Sequence, residues 1–151
     1  MKGKIAAIGL ALAVASVAAP AQGFDRNNLY IGGGISLNSA SGVDDELGLQ
    51  VFAGYEIDMA DLEPIRLAVE VGYMDIDDYN VSGLWVTGVA VYELDSQFRL
   101  LGRLGVDFGD DDGLMVGAGL GYAFNRQLEV RGEYVARDNI DSLQANVVYR
   151  F

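Results

Sequence analysis

Cysteine and histidine are both missing from the 151 residues, lysine does not recur after Lys4, and there are only two prolines and one tryptophan. Without cysteine no disulfide can staple the chain, which excludes the small secreted scaffolds that depend on such bridges. Without histidine the usual general base of hydrolases and acyltransferases cannot be built. The prolines, Pro20 and Pro64, leave long stretches in which every backbone N–H can join a ladder. After Val17 no run is long and apolar enough for a membrane helix, which needs about 20 residues, although hydrophobic residues make up 51% of the chain.

What is present begins with a processing pattern. Lys2 and Lys4 precede an apolar stretch from Ile5 to Val17, and Ala19-Pro20-Ala21 has the small residues of a cleavage site. The apolar stretch is 13 residues long, too short to span a bilayer as a helix. The expectation is a signal peptide over residues 1–21, export to the periplasm, and a mature domain over 22–151. That domain carries 8 basic residues, all Arg, and 22 acids, a formal charge of 8 − 22 = −14. Such a surface repels nucleic acid, so no nucleic-acid partner is expected.

Eight segments have strand character: Leu29–Asn38, Leu47–Ile57, Ile65–Asp75, Leu84–Tyr92, Phe98–Phe108, Leu114–Phe124, Leu128–Arg137 and Leu143–Phe151. Their lengths cluster near the 9–11 residues with which a tilted strand crosses the hydrocarbon layer. A period of two runs through most of them. In the fifth, Phe98, Leu100, Gly102, Leu104, Val106 and Phe108 oppose Arg99, Leu101, Arg103, Gly105 and Asp107. In the eighth, Leu143, Ala145, Val147, Tyr149 and Phe151 oppose Gln144, Asn146 and Arg150. The fourth is apolar on both faces, so the pattern does not orient it. The predicted fold class is all-β, an eight-stranded antiparallel up-and-down transmembrane β-barrel with apolar residues facing lipid.

In such a barrel the connections alternate between two ends. Asp58–Pro64, Glu93–Gln97 and Asn125–Gln127 are expected at the periplasmic end, and Ser39–Glu46, Ile76–Gly83, Gly109–Gly113 and Asp138–Ser142 at the outer end. Aspartate concentrates in the second group. Apolar-face aromatics lie near strand ends, as two interfacial girdles require. Eight strands enclose a space just wide enough for side chains to fill. The expected polar network of the interior is Arg66, Glu70, Arg99, Arg103, Glu129, Arg131, Glu133 and Arg150, joined by Gln50, Glu56, Gln144 and Asn146. Both signs occur in neighbouring strands, and a buried charge costs several kcal/mol unless paired. Glycines on the inward face, Gly117, Gly119 and Gly121 with Gly32 and Gly34, would make room for the long side chains.

No catalytic, cofactor-binding or metal-binding constellation emerges. The segment from Asp75 to Asn80 lacks the sixth-position glycine and the closing glutamate of a calcium loop. The acidic outer rim is expected to be solvated, with cation-bridged contact to phosphorylated glycolipid as a further possibility to test.

With its alternating strands, its leader and its final Val147-Val148-Tyr149-Arg150-Phe151, the chain resembles the family of small eight-stranded outer-membrane barrels, similar to OmpA-type transmembrane domains and OmpX-type proteins. The resemblance implies that Val147, Tyr149 and Phe151 form the signal read by the barrel assembly machinery. It also implies residence in the bacterial outer membrane among its lipid and lipopolysaccharide, as a monomer. Three functions are open: a structural or surface-interaction protein with a side-chain-filled polar lumen and no enzymatic activity, a narrow porin-like ion channel, and a soluble lipocalin-like carrier. The carrier would reverse the two faces.

Overall fold

A computed structural model describes residues 25–42, 44–57, 60–76, 81–109 and 113–151. The expected leader, Asp77, Asp78 and Asp110 to Asp112 lie outside the described residues. The chain forms β1 (Leu29–Ala40), β2 (Glu46–Ile57), β3 (Ile65–Ile76), β4 (Val81–Glu93), β5 (Phe98–Asp107), β6 (Gly113–Ala123), β7 (Leu128–Ala136) and β8 (Ile140–Arg150). Every strand pairs antiparallel with its sequence neighbours, and β1 pairs with β8 to close the barrel. Two single-turn 3-10 helices, Arg26–Asn28 and Ala60–Leu62, flank the strands.

Following the register once around leads from Leu29 through Tyr55, Val69, Gly88, Leu104, Val116, Ala136 and Asp141 to Ser39. The circuit returns to β1 ten residues further along (39 − 29 = 10). With eight strands, that stagger tilts them about 40° from the barrel axis.

Several boundaries differ from the sequence reading. β1, β2, β3 and β4 extend further toward the acidic end, which leaves only residues 41–45, 77–80, 108–112 and 137–139 between strands there. Glu93 belongs to β4 rather than to the following turn, while Phe108, Phe124, Arg137 and Phe151 fall just outside strands. The fourth strand is now oriented: Trp85, Thr87, Val89 and Val91 point inward and are buried, whereas Leu84 and Tyr92 are exposed. The interior is therefore not polar throughout. Trp85, Val89 and Val91 join Phe52, Met74, Ile76, Leu101, Met115 and Val135 in a continuous apolar cluster inside the barrel.

The exterior is apolar by alternation. Ile35, Leu49, Val69, Leu104, Val116, Leu120, Val130 and Val147 are among the outward side chains exposed there. Along the eight outward faces, charge occurs only at Asp75 and Asp141, both at the acidic end. A lipocalin-like carrier would need the opposite arrangement.

Two turns at the other end share one construction. Asp95 Oδ1 accepts hydrogen bonds from the N–H groups of Gln97 (2.7 Å) and Phe98 (2.8 Å). Asn125 Oδ1 does the same for Gln127 and Leu128, both at 2.8 Å. An Asx side chain satisfies the donors that a tight turn exposes. Each turn also supplies a glutamine whose side-chain amide donates to a tyrosine hydroxyl on the next strand: Gln97 to Tyr122 (2.9 Å) and Gln127 to Tyr149 (3.3 Å). Tyr122 stacks edge-on with Phe98 and Phe124, and Tyr149 with Phe151. These contacts fix an aromatic belt at this rim.

Glycine opposite a bulky partner sets the interior packing. Tyr30 pairs across strands with Gly54, Phe52 with Gly32, and Trp85 with Gly72. A Cβ placed on any of these glycines would lie 2.2–2.3 Å from the facing ring. The rings lie over bare backbone, so the space a side chain would take is already filled.

Gly72→Val should therefore lower stability by about 1–3 kcal/mol through overpacking against Trp85. Urea titration of the barrel refolded in lipid checks this, with Trp85 fluorescence reporting the loss of its buried setting. The same substitution in a Trp85→Ala background, which removes the only tryptophan and is followed instead by heat-dependent gel mobility across the urea series, should cost less.

The Asp95 carboxyl is held below the usual aspartate range by the backbone N–H groups of Phe98 and Gln97. A depressed folded-state value means the stabilisation is present above the unfolded pKa and is lost as pH falls through the folded one. Asp95→Ala should thus weaken the barrel at neutral pH, and the gap to wild type should close in acid. Asp95→Asn, which copies the Asn125 turn, should retain stability and lose that pH dependence. Urea midpoints measured across the acid range test both.

Candidate functional site

Apart from the outward Asp75 and Asp141, the charged side chains of the strands converge inside the barrel, in three levels along its axis. At the rim nearest the chain termini, six residues from six strands form a closed ring of alternating charge. Glu56 pairs with Arg66 (3.3 Å), Arg66 with Glu93, Glu93 with Arg99 (3.7 Å), Arg99 with Glu129, Glu129 with Arg150 (3.2 Å), and Arg150 again with Glu56. The Arg66 and Glu93 side chains remain 37% and 41% exposed, so the ring meets water on that side. The three contacts that Arg66 and Glu93 make contribute little because solvent screens them; the buried members carry more.

The middle level is fully enclosed. Arg131 donates from Nε to Glu129 and from Nη1 to Glu70, both at 2.6 Å. Arg103 forks onto Glu133 at 2.6 and 2.9 Å, and its Nη2 lies 3.0 Å from Glu70 Oε2. Its Nη1 donates to Thr87 Oγ1 at 3.3 Å. The planar fork of arginine suits this task, since one guanidinium can engage two carboxylates while staying charged. Tyr30 ties the two levels together. Its hydroxyl donates to Glu70 (2.6 Å), and its ring lies between the guanidinium groups of Arg131 and Arg150, at 5.2 and 5.0 Å. Arg103 lies over Trp85 at 5.4 Å, where the apolar cluster meets the charges.

The third level faces the acidic end. Arg137 donates to Asp107 (3.1 Å) and to Ser142 (2.7 Å), Ser142 donates to Asn38 (2.6 Å), and Asn38 donates to Ser36 Oγ (2.9 Å). These ion pairs combine six arginines with six carboxylates.

The glycines of β6 make room for this network. A Cβ on Gly119 would come within 2.6 Å of Glu133 Cγ, one on Gly117 within 3.0 Å of Arg103 Cγ, and one on Gly121 within 3.0 Å of Glu129 Oε1. Gly32 serves Phe52 instead of a charge, and Gly34 lies beside Asn146.

The eight residues of the expected network, Arg66, Glu70, Arg99, Arg103, Glu129, Arg131, Glu133 and Arg150, all lie inside the barrel and are linked by these contacts. The sequence reading left Glu93 in a turn and gave no role to Tyr30, Asp107 or Arg137. The parity that leads from Trp85 through Val89 and Val91 reaches Glu93. The parity from Glu129 through Arg131 and Glu133 likewise reaches Arg137. Val147, Tyr149 and Phe151 point outward and are about half exposed. Among the described residues no three acidic side chains cluster as a metal site.

Removing Arg103 would leave Glu70 and Glu133 each short of a cation in a buried setting. Arg103→Ala should destabilise the barrel by about 3 kcal/mol. Adding Glu133→Gln to Arg103→Ala should recover part of that loss, because one stranded charge is removed with its partner. Urea midpoints of the single and double variants measure the coupling, which should be absent for a pair that does not interact.

A family model described as an outer membrane protein beta-barrel domain matches residues 7–151. No curated protein sequence matches the chain. Among solved structures, a de novo designed transmembrane β-barrel aligns with a TM-score of 0.69 at 19% identity, covering 83% of this chain and 96% of the design. Neisserial surface protein A aligns at 0.55 with 18% identity, over 82% and 97% of the two chains. The outer membrane enzyme PagL aligns at 0.59 with 17% identity, over 81% and 99%. At these identities the likeness is one of fold.

Proposed function

The chain belongs to the outer membrane protein beta-barrel domain family, and from that premise we propose that it is a sealed barrel serving the bacterial envelope as a structural and surface-interaction element, neither enzyme nor channel. The observation that carries this reading is the interior itself. Among the described residues six arginines share ion pairs with six carboxylates there, and a closed ring spans the rim. A channel selective for one sign of ion needs unmatched charge along a water-filled path; here arginine and carboxylate neutralise each other.

The absence of histidine and cysteine supports a non-enzymatic role, as does the capture of the interior carboxylates by arginine. The enzyme PagL shares the fold, and a shared fold does not carry a shared activity. The short connections at the acidic end favour contact with the membrane surface over an extended grip on a large protein. Lipid and lipopolysaccharide are the partners this reading names, with cation-bridged phosphate contact at the acidic rim. The chain would act as a monomer. It would be exported under the leader 1–21 and inserted by the barrel assembly machinery through Val147, Tyr149 and Phe151, whose outward exposure leaves them open to recognition.

A strain lacking the protein should become more sensitive to detergent and to chelators of divalent cations, and wild-type protein should restore resistance. In the same membranes the protein should migrate differently on gels before and after boiling, as a folded barrel does. A deletion strain indistinguishable from its parent under both stresses would refute the structural role.

A further inference from the structure

The lipid-facing wall is not evenly covered. On β4, β5 and β6, Ala90, Gly102 and Ala118 stand side by side in the register, and Gly88 lies two residues before Ala90. A groove of about 560 Å³ lies over this region, with Leu67 and Leu104 among its walls. That volume falls within the range of ligand sites, about 300–1,000 Å³. The groove adjoins a depression of about 250 Å³ that shares Ala90 and Gly102 and reaches Tyr92. Tyr92 and Gly88 are about 13 Å apart along the strand. Tilt reduces this to a depth of about 10 Å, less than half of a hydrocarbon layer about 30 Å thick. The groove therefore lies within one leaflet, the one nearest the chain termini.

The protein's own packing does not call for these glycines. A Cβ on Gly102 would meet nothing within 4 Å, and one on Gly88 only the carbonyl oxygen of Leu104, at 3.8 Å. Neither has a positive φ. Gly54 and Gly72, which point inward, differ because a ring already fills their space. Glycine inside a strand weakens it and often marks a place that a ligand approaches closely.

Tyr92 gives the groove a polar mouth. β2, β4, β6 and β8 each bring a tyrosine to this rim: Tyr55, Tyr92, Tyr122 and Tyr149. The hydroxyls of Tyr55, Tyr122 and Tyr149 accept hydrogen bonds from the Asp25 N–H, Gln97 and Gln127. Among the described residues, none hydrogen-bonds to the hydroxyl of Tyr92.

We propose that this groove holds one acyl chain of a phospholipid from the leaflet nearest the chain termini, with the Tyr92 hydroxyl donating to its ester or phosphate oxygens. The site presupposes the membrane role already proposed and names one lipid contact within it. The groove is continuous with the lipid-facing exterior, so membrane lipid is the molecule that meets it. Elsewhere on the convex wall a chain touches protein along one side. Here it touches a floor and two walls, and its dispersion contacts multiply. Tyrosine at the interface suits the headgroup level, where its ring is apolar and its hydroxyl polar.

The test is photo-labelling of the purified protein in phosphatidylethanolamine–phosphatidylglycerol vesicles. A minor share of the phosphatidylethanolamine carries a diazirine midway along one acyl chain, and adducts are mapped by mass spectrometry. Recessed small residues offer passing lipid little contact, so chance labelling favours protruding side chains such as Ile35 and Val147 on the far wall. The expected result is the reverse, with adducts several-fold more frequent at Ala90 and Ala118. Gly102→Leu places its side chain in open space and should lower those adducts several-fold, leaving Ile35 and Val147 unchanged. Tyr92→Phe should lower them by a smaller factor. Even labelling around wild-type protein shown to be folded by its gel mobility would overturn the site, whatever the variants do. It would leave standing the envelope role, which the deletion strain tests. Groove labelling that disappears when lipopolysaccharide is added, or as protein density rises, would also overturn it. The occupant would then be a lipopolysaccharide chain or a second copy of the protein.

Discussion

Every charge that the barrel takes inside must be neutralised inside. The constraint follows from the exterior. A surface that faces hydrocarbon along eight strands cannot offer a charged side chain an escape to water, and the alternation of a strand sends each long polar residue inward. Once there, it needs a partner within a few ångströms or its desolvation is uncompensated. The ring at the rim, the Arg131 and Arg103 bridges behind it, and the Arg137–Asp107 pair all answer that single requirement. The strong acidity of the chain lies elsewhere, in the connections and at their flanks, where water screens it.

Volume is the second constraint, and glycine meets it. The barrel interior is too narrow for bulky residues to face each other at every level. Where Tyr30, Phe52, Trp85, Glu133 or Arg103 crosses the space, a residue paired with it on one neighbouring strand is glycine. Aromatic rings and the stem of Arg103 thus lie against bare backbone, and the apolar cluster and the charged network share one core.

Much of the architecture is legible from alternation alone, because period two is local and each strand declares its own faces. β5 and β7 are the plain cases: Arg99, Leu101 and Arg103 separate cleanly from Leu100, Gly102 and Leu104. β4 is the opposite case. Its two faces are both apolar, since one meets lipid and the other meets the apolar cluster of the interior, and only its pairing with β3 and β5 decides which is which. The ring illustrates a different limit. Charge and parity can place Glu56, Arg66 and Arg150 indoors, but which carboxylate meets which arginine depends on the stagger of the whole barrel. Glu93 depended on where β4 ends, and Tyr30 on a partner forty residues away.

The central claim is that paired charge and close packing seal the barrel. Single-channel recording of the refolded protein in a planar lipid bilayer tests it most directly. The account predicts a silent membrane at low and moderate voltage, with the inserted protein shown to be folded by its heat-dependent gel mobility. Reproducible current steps of uniform size from that folded protein would contradict it, because they would require a continuous water path where the structure places a closed circuit of ion pairs.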